Sequence, residues 1–387
     1  MAAAPARASQ ATAAPGRAIA YVDAVAVERN CASLKQRLGA ADLCAVVKAG
    51  GYGHGATACA AAAVAGGATW LAVATAHEAA ELRRDGVGER ILVMGALTRA
   101  ELELALEADA DVVAWREGFA RAAAAIASPD RPARLHVKLD TGMGRLGTSD
   151  PEEAMRVAAL AQSTRGLAVA GLMTHFATAD DPESGFFDEQ LNRFKPVVEE
   201  FRRAYPECVV HAANSAAVLR SGDAHFDMAR CGISIYGMDP FGVDPLGHGL
   251  APALSLRSYI ADLKEVRAGA TVGYGRTWSA PAATHVAVLP IGYGDGYRRG
   301  LSDSAEVLIR GRRRPVVGTV SMDNITVDVG SDTDVHRGDE AVLIGTQGDD
   351  RVTAEELARI LGTINYEVTC GISPRVPRVA GTTSDPS

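Results

Sequence analysis

Side chains able to act together as a chemical site recur at one kind of place in this chain, the last residues of short apolar runs. Lys48 closes the run LCAVVK (43–48), and Lys138 and Asp140 end LHVKLD (135–140), followed at once by Thr141-Gly142-Met143-Gly144-Arg145. His175 ends VAGLMTHF (169–176), Asn214 and Ser215 end CVVHAANS (208–215), and Arg230 lies in DMARCGISIYG (227–237). Burial of a lysine disfavours its charge, and a neutral amine adds to an aldehyde to form a Schiff base. The same residue could instead be one half of an ion pair. Ser215, with the backbone N–H groups of Gly232 and Ile233, is suited to a phosphate. His175 and His211 could equally be hydrogen-bonded core histidines, and Tyr274 could be a packing residue in its Gly273-Tyr274-Gly275 turn.

These positions need a scaffold that brings strand ends together. The five runs named above are joined by WLAVAT (70–75), ILVMG (91–95) and DVVAW (111–115), which makes eight in all, separated by Ala/Leu-rich stretches of helical character. Near-continuous apolar runs fit parallel strands buried on both faces, and eight strand–helix units imply a closed (β/α)8 barrel. Functional side chains of such a barrel stand at the C-terminal ends of its strands, and phosphate is often bound after strands seven and eight. Ser215 and Gly232 stand there, across the mouth from Lys48.

Near residue 251 the pattern changes to alternating runs, HVAVLP (285–290), AEVLIR (305–310), ITVDVG (325–330) and EAVLIG (340–345), with Gly and Asp turn signals between them. The fold class expected is therefore α/β: a barrel domain over 18–250, then a mainly antiparallel β domain over 251–381, with disordered tails at 1–17 and 382–387. A helix from about Thr353 to Leu361 interrupts the second domain, with Thr353 as N-cap and Glu356 closing a capping box. The basic run Arg310-Gly311-Arg312-Arg313-Arg314 reads as a solvated hairpin turn.

The composition excludes several classes. With 387 residues, 48% hydrophobic, the chain can bury a large core, and a net charge of −8 without a long basic block argues against nucleic acid. No apolar stretch reaches the roughly 18 residues of a membrane span. Six cysteines without a CxxC pair argue against a disulfide framework or a metal site and fit a reducing, cytoplasmic setting.

The residues carry a further signal. Lys48-Ala49-Gly50-Gly51-Tyr52-Gly53-His54-Gly55 resembles the cofactor-lysine motif of the alanine racemase family. In order along the chain there follow Asp140-Thr141-Gly142-Met143-Gly144-Arg145-Leu146-Gly147, Met173-Thr174-His175-Phe176, Asn214-Ser215-Ala216 and Arg230-Cys231-Gly232-Ile233 with Tyr236-Gly237. Beyond these come Gly273-Tyr274-Gly275-Arg276-Thr277-Trp278, Ile291-Gly292-Tyr293-Gly294-Asp295-Gly296, Met322-Asp323 and Ile364-Asn365-Tyr366-Glu367. One such motif would say little, but nine in family order, from about residue 18 to 379, are specific.

The resemblance implies a pyridoxal 5'-phosphate enzyme that interconverts L- and D-alanine and supplies D-alanine for bacterial peptidoglycan. It implies that Lys48 carries the cofactor and exchanges a proton on one face of Cα, with Tyr274 doing the same on the other face. A racemase needs two such groups because the enantiomers present their protons on opposite sides. A tyrosine of ordinary pKa near 10 is a poor base at neutral pH, and the resemblance puts His175 and Arg230 in support, with His211 orienting Arg230. Arg230 is expected at the pyridine nitrogen. Because an arginine does not give up a proton, that nitrogen would stay unprotonated, which discourages transamination. Tyr52, Ser215, Gly232, Ile233 and Tyr366 are implied for the phosphate, and Arg145, Met322 and Asp323 for the substrate. Tyr293 and Tyr366 are the implied gate, and Lys138 matches a position carbamylated in many relatives. The resemblance also implies a head-to-tail homodimer in which Tyr274, Met322 and Asp323 come from the second copy.

Three departures from the family pattern stand out: Gly50 in place of a more usual polar residue, Ser321 where Cys often precedes Met-Asp, and Tyr21-Val22-Asp23-Ala24-Val25-Ala26 at the first strand. Gly50 is expected to loosen the loop beside Lys48. A racemase of broader specificity and a non-catalytic cofactor-binding protein are the alternatives. The second is disfavoured by Tyr274 and Met322-Asp323, and a decarboxylase of similar architecture by the lack of its cysteine motif.

Overall fold

The computed structural model describes residues 16–332 and 334–381. Eight parallel strands close into a barrel: Asp42–Val46, Trp70–Val73, Arg90–Val93, Ala110–Ala114, Ala133–Lys138, Leu167–Met173, Val209–His211 and Met228–Cys231. The last pairs with the first in the register Asp42↔Met228 to Ala45↔Cys231, which closes the cylinder. These are the eight apolar runs, and they are apolar because both faces are covered: the barrel interior lies on one side and the surrounding helices on the other. Burying each Val or Leu of these strands contributes about 1.5–3 kcal/mol relative to exposure.

The helices start where short polar side chains can satisfy their free N–H groups. Thr75 and Thr98 form complete capping boxes with Glu78 and Glu101, and Asp150 caps a helix whose first residue is Pro151. Among the described residues, no helix is long and apolar enough to cross a membrane.

The second half of the fold is a sheet in the order Arg312–Pro315, Glu306–Ile309, Glu340–Gln347, Leu254–Tyr259, Ala18–Val22, Arg378–Ala380, with Asp350–Val352 attached to Glu340–Gln347. A three-stranded sheet, Asp262–Val266, Thr284–Leu289 and Ile325–Gly330, and a short hairpin of Thr271–Val272 with Trp278–Ser279 complete it.

Four local expectations need correction. The strand Ala18–Val22, counted with the barrel segment, instead pairs antiparallel with Leu254–Tyr259 and parallel with Arg378–Ala380, so this strand belongs to the β domain. Most of the expected tails lies outside the described residues, but Arg17 is engaged: its guanidinium donates to the Asp295 carboxylate at 3.0 Å. The arginine hairpin is only partly a solvated turn. Arg310 and Gly311 make the bend at φ 54° and 71°, while Arg313 binds Glu356 through both guanidinium nitrogens at 2.6 and 3.0 Å. That pair also explains why the capping box at Thr353 is half formed. Thr353 accepts the Glu356 N–H at 3.1 Å, but the Glu356 carboxylate is turned to Arg313.

Candidate active site

Lys48 stands where the first barrel strand is released. Val47 still donates its N–H to Ala72 at 2.9 Å, and the chain then enters a left-handed turn with φ of 52°, 61°, 64° and 52° at Ala49, Gly50, Gly51 and Tyr52. Left-handed backbone costs an L-residue roughly 1–2 kcal/mol, so this turn must be held from outside. Glu78 does so: one carboxylate oxygen accepts the Ala49 N–H at 2.6 Å and the other the N–H groups of Ala74 and Thr75 at 2.8 and 3.1 Å. Arg378 of the β domain donates to the Gly53 carbonyl at 2.8 Å. Gly50 therefore does not loosen the loop. An added Cβ would meet nothing within 4 Å, but only glycine takes this φ without strain.

The turn carries Tyr52 back over the eighth strand. A Cβ on Gly232 would lie 2.3 Å from the Tyr52 hydroxyl, so the missing side chain at 232 opens the space in which that hydroxyl sits. The Ser215 Oγ accepts the N–H groups of Gly232 and Ser234 at 3.0 and 3.3 Å, which leaves its own proton to donate. Burial pushes the phenols of Tyr52 and Tyr366 up, so both remain O–H donors; their rings lie 5.9 Å apart. This is a cradle of neutral donors suited to a phosphate.

A cavity of about 320 Å³ joins that cradle to Lys48 and is lined also by Arg145, His175, Asn214, Arg230 and Ile233. The Lys48 amine is lowered by burial and then by the Arg145 charge, which favours the neutral nucleophile. Lys138 is buried, and burial, then Arg230 and Arg145, pull it down to about 8. The Asp140 carboxylate is not its ion-pair partner but accepts the N–H groups of Gly142, Met143 and Gly144 at 2.7–2.9 Å, shaping the loop that presents Arg145. Arg230 donates to His211 Nδ1 at 2.8 Å, to His175 Nδ1 at 3.2 Å and to the Thr174 and Ala212 carbonyls. Burial and the Arg230 charge push both histidines well below their ordinary value, so they are neutral acceptors.

The barrel thus brings Lys48, Tyr52, Arg145, His175, Ser215, Arg230, Gly232, Ile233 and Tyr366 to one cavity, with Lys138 and His211 behind it. Tyr274, Tyr293, Met322 and Asp323 line no part of it. They stand on loops of the β domain, with Tyr274 73%, Met322 52% and Tyr293 41% exposed. Asp323 is paired with Arg375 at 2.7 Å. Two further lining residues, Met94 and Cys370, carry no sequence signal: one ends an apolar run and the other is a lone thiol. A larger cavity of about 500 Å³, between the barrel and the sheet around Met238, Leu254 and Ile344, contains none of the expected site residues.

Residues 22–240 match the family model "Alanine racemase, N-terminal domain" and residues 253–380 match "Alanine racemase, C-terminal domain". The chain belongs to the alanine racemase family. An alanine racemase of Symbiobacterium thermophilum is 43% identical over 364 residues, covering 94% of this chain and 96% of that protein. The solved alanine racemase of Streptomyces coelicolor superposes with a TM-score of 0.88 at 40% identity, covering 94% of this chain and 98% of that one. The alanine racemase of Bartonella henselae, at TM-score 0.83 and 26% identity over 95% of this chain and all of that one, is described with covalently bound pyridoxal phosphate.

Proposed function

We infer that this chain is an alanine racemase that holds pyridoxal phosphate on Lys48 and interconverts L- and D-alanine. The observation that carries the reading is the single cavity in which a lysine held toward its neutral form faces a cradle of phosphate donors, with two arginines between them. The cradle fits a phosphate because Gly232 leaves space that any side chain would fill and because Ser215, Tyr52 and Tyr366 keep their protons. When bound, the cofactor withdraws electrons from the amino acid and makes its Cα proton acidic.

The remaining work falls to the chain itself. Lys48 would hold the cofactor at its aldehyde, and its amine, once free of the cofactor, would exchange a proton on one face of the alanine Cα. Arg145, on the loop ordered by Asp140, holds the substrate carboxylate. Arg230, which lines the same cavity, would face the pyridine nitrogen. Burial brings its pKa to about 10, so it stays charged at neutral pH and would not yield its proton to that nitrogen. The opposite face of Cα needs a second base. Tyr274 of a second copy fills that role, with Met322 and Asp323 beside it and Tyr293 and Tyr366 narrowing the entrance. The exposure of Tyr274, Met322 and Tyr293 on one domain supports this head-to-tail dimer, since large apolar groups left in water mark a surface that is covered in the assembly. Lys138 is suited to carbamylation: an amine with a pKa of about 8 is sufficiently neutral to add to CO2 with loss of one N–H proton to solvent, and the resulting anion would offset the Arg145 charge that bears on this amine. The six cysteines are all free thiols, in keeping with a cytoplasmic enzyme that supplies D-alanine for peptidoglycan.

The test combines identity and chemistry. Borohydride treatment of the purified protein should attach the cofactor to Lys48. Deuterium exchange at Cα should be faster for alanine than for serine, lysine or arginine. Label on another lysine would refute the cofactor site, and faster exchange with lysine or arginine would make the enzyme a broad-specificity racemase.

A further inference from the structure

Behind Arg230 lies a row of polar side chains that crosses the barrel interior, each from a different strand. Arg230 Nη1 meets His211 Nδ1 at 2.8 Å, His211 Nε2 meets His136 Nδ1 at 2.8 Å, and His136 Nε2 meets Asp111 Oδ2 at 3.0 Å. Asp111, His136 and His211 are fully buried and Arg230 nearly so. Asp111 stands near the start of Ala110–Ala114 and Arg230 near the end of Met228–Cys231, so the row climbs from the closed end of the barrel to its mouth. At the lower end Asp111 is held by Arg134 at 2.5 Å and Arg90 at 2.6 Å.

The direction of every hydrogen bond follows from the chemistry of the groups. An arginine only donates, so His211 Nδ1 is bare and accepts. A ring with Nδ1 bare must carry its proton on Nε2, and it donates that proton to His136 Nδ1. His136 is then bare at Nδ1, carries its proton on Nε2 and donates it to the carboxylate. The reverse order would leave His211 with no proton at all. The row therefore has one permitted state, with both rings neutral and in the Nε2–H tautomer. The barrel makes space for it at one further position: a Cβ on Gly171 would fall 2.6 Å from His136 Nδ1, so glycine in the intervening strand lets the two rings meet.

We propose that Asp111 and His136 are positioning residues of the racemase: through a one-way chain, Arg230 to His211 to His136 to Asp111, a carboxylate at the closed end of the barrel fixes the tautomer of His211 and so the place and protonation of Arg230 at the reacting end. The proposal rests on the function given above, in which Arg230 faces the cofactor ring. With the carboxylate gone, only Arg230 still enforces the order: an amide at position 111 can donate to His136 Nε2 as well as accept from it, which would move the His136 proton to Nδ1, turn the His211 N–H against Arg230 and cost the guanidinium its acceptor.

Three variants of the holoenzyme separate this role from simple packing. Gln in His136→Gln can accept from His211 through its oxygen and donate to Asp111 through its nitrogen, while Phe in His136→Phe fills similar space and does neither. Asp111→Asn keeps shape and removes charge. Imidazole ¹⁵N spectra should show His211 as a single Nε2–H tautomer in the wild type and the His136→Gln variant, and as a mixture in Asp111→Asn. His136→Phe should lower kcat roughly tenfold or more with KM for alanine within about twofold, as loss of a tautomer-fixing partner does elsewhere, and should change the cofactor absorption band. His136→Gln should stay within about threefold of wild type by the same reasoning. Equal behaviour of the Gln and Phe variants, or an unchanged His211 tautomer in Asp111→Asn, would overturn the proposal. The tautomer measurement does not depend on activity. A wild-type protein with the ordered tautomers but no racemisation would refute the function and leave the relay standing.

Discussion

The barrel mouth and the loops of the β domain carry the two halves of the expected chemistry in opposite ways. At the mouth, Lys48, His175 and Arg230 stand on strand ends, largely withdrawn from water, and their protonation is set by burial and by one another. On the β domain, Tyr274 stands in water in a turn whose flanking glycines have φ of 76° and 75°, tied to its neighbour by the Thr319 hydroxyl, which donates to the Tyr274 carbonyl at 2.8 Å. The first half is complete within one chain. The second is an exposed group that, among the described residues, lines no part of the cavity, which is the form expected of a residue that completes a site in another copy.

The largest effect should come from the exposed half. Tyr274→Phe should lower racemisation by about 10²-fold or more, the range for loss of a positioned acid–base group. Exchange of the Cα proton served by Lys48 should persist. Equal loss of exchange from both enantiomers would mean that Tyr274 does not serve one face. Next is the cradle. Gly232→Ala puts a methyl against the Tyr52 hydroxyl, and overpacking of about 1–3 kcal/mol corresponds to roughly five- to 150-fold weaker cofactor binding. Cofactor titration followed by absorbance measures this, and unchanged affinity would remove Tyr52 and Gly232 from the phosphate site.

Lys138 gives a smaller, pH-dependent signature. Its folded pKa, about 8, lies below the ordinary 10.5, so between those values the unfolded chain holds more protons and stability rises with pH; below about 8 the penalty is constant. In CO2-free buffer the thermal midpoint of the wild type should therefore gain on that of Lys138→Met between pH 8 and 10. A gap independent of pH would contradict the buried free amine. Smallest is Gly50→Ala, which should cost roughly 1 kcal/mol for a left-handed side chain with little change in KM, as read from denaturant midpoints. A neutral or stabilising result would mean that the turn is not held at its present φ.

What was legible in the sequence follows the same division. The eight strands could be read because parallel strands covered on both faces need unbroken apolar runs, and Lys48, His175, Ser215 and Arg230 because they stand at the ends of those runs; Tyr52, Arg145 and Tyr366 could be read only through the family resemblance. The left-handed turn after Lys48 could not be read, since Ala49 and Tyr52 take a backbone sign that their residue types disfavour and that Glu78 and Arg378, distant in the chain, sustain. His136 carried a usable hint: two residues before Lys138 on one strand, it shares that lysine's face. Its partner Asp111 lies on the preceding strand and meets it only through the pairing of those two strands, as Ala18–Val22 finds its sheet only through Leu254–Tyr259 and Arg378–Ala380, far along the chain.

The claim that the two halves meet across copies is tested most directly by mixing two inactive variants, Lys48→Ala and Tyr274→Ala, unfolding and refolding them together and assaying racemisation. In a shared-site dimer each mixed pair has one doubly damaged site and one intact site. Random pairing makes half of the dimers mixed, so activity should return to roughly a quarter of wild type. If each site were built from one chain, every site would keep a lesion, and mixed dimers confirmed by mass would show no recovery.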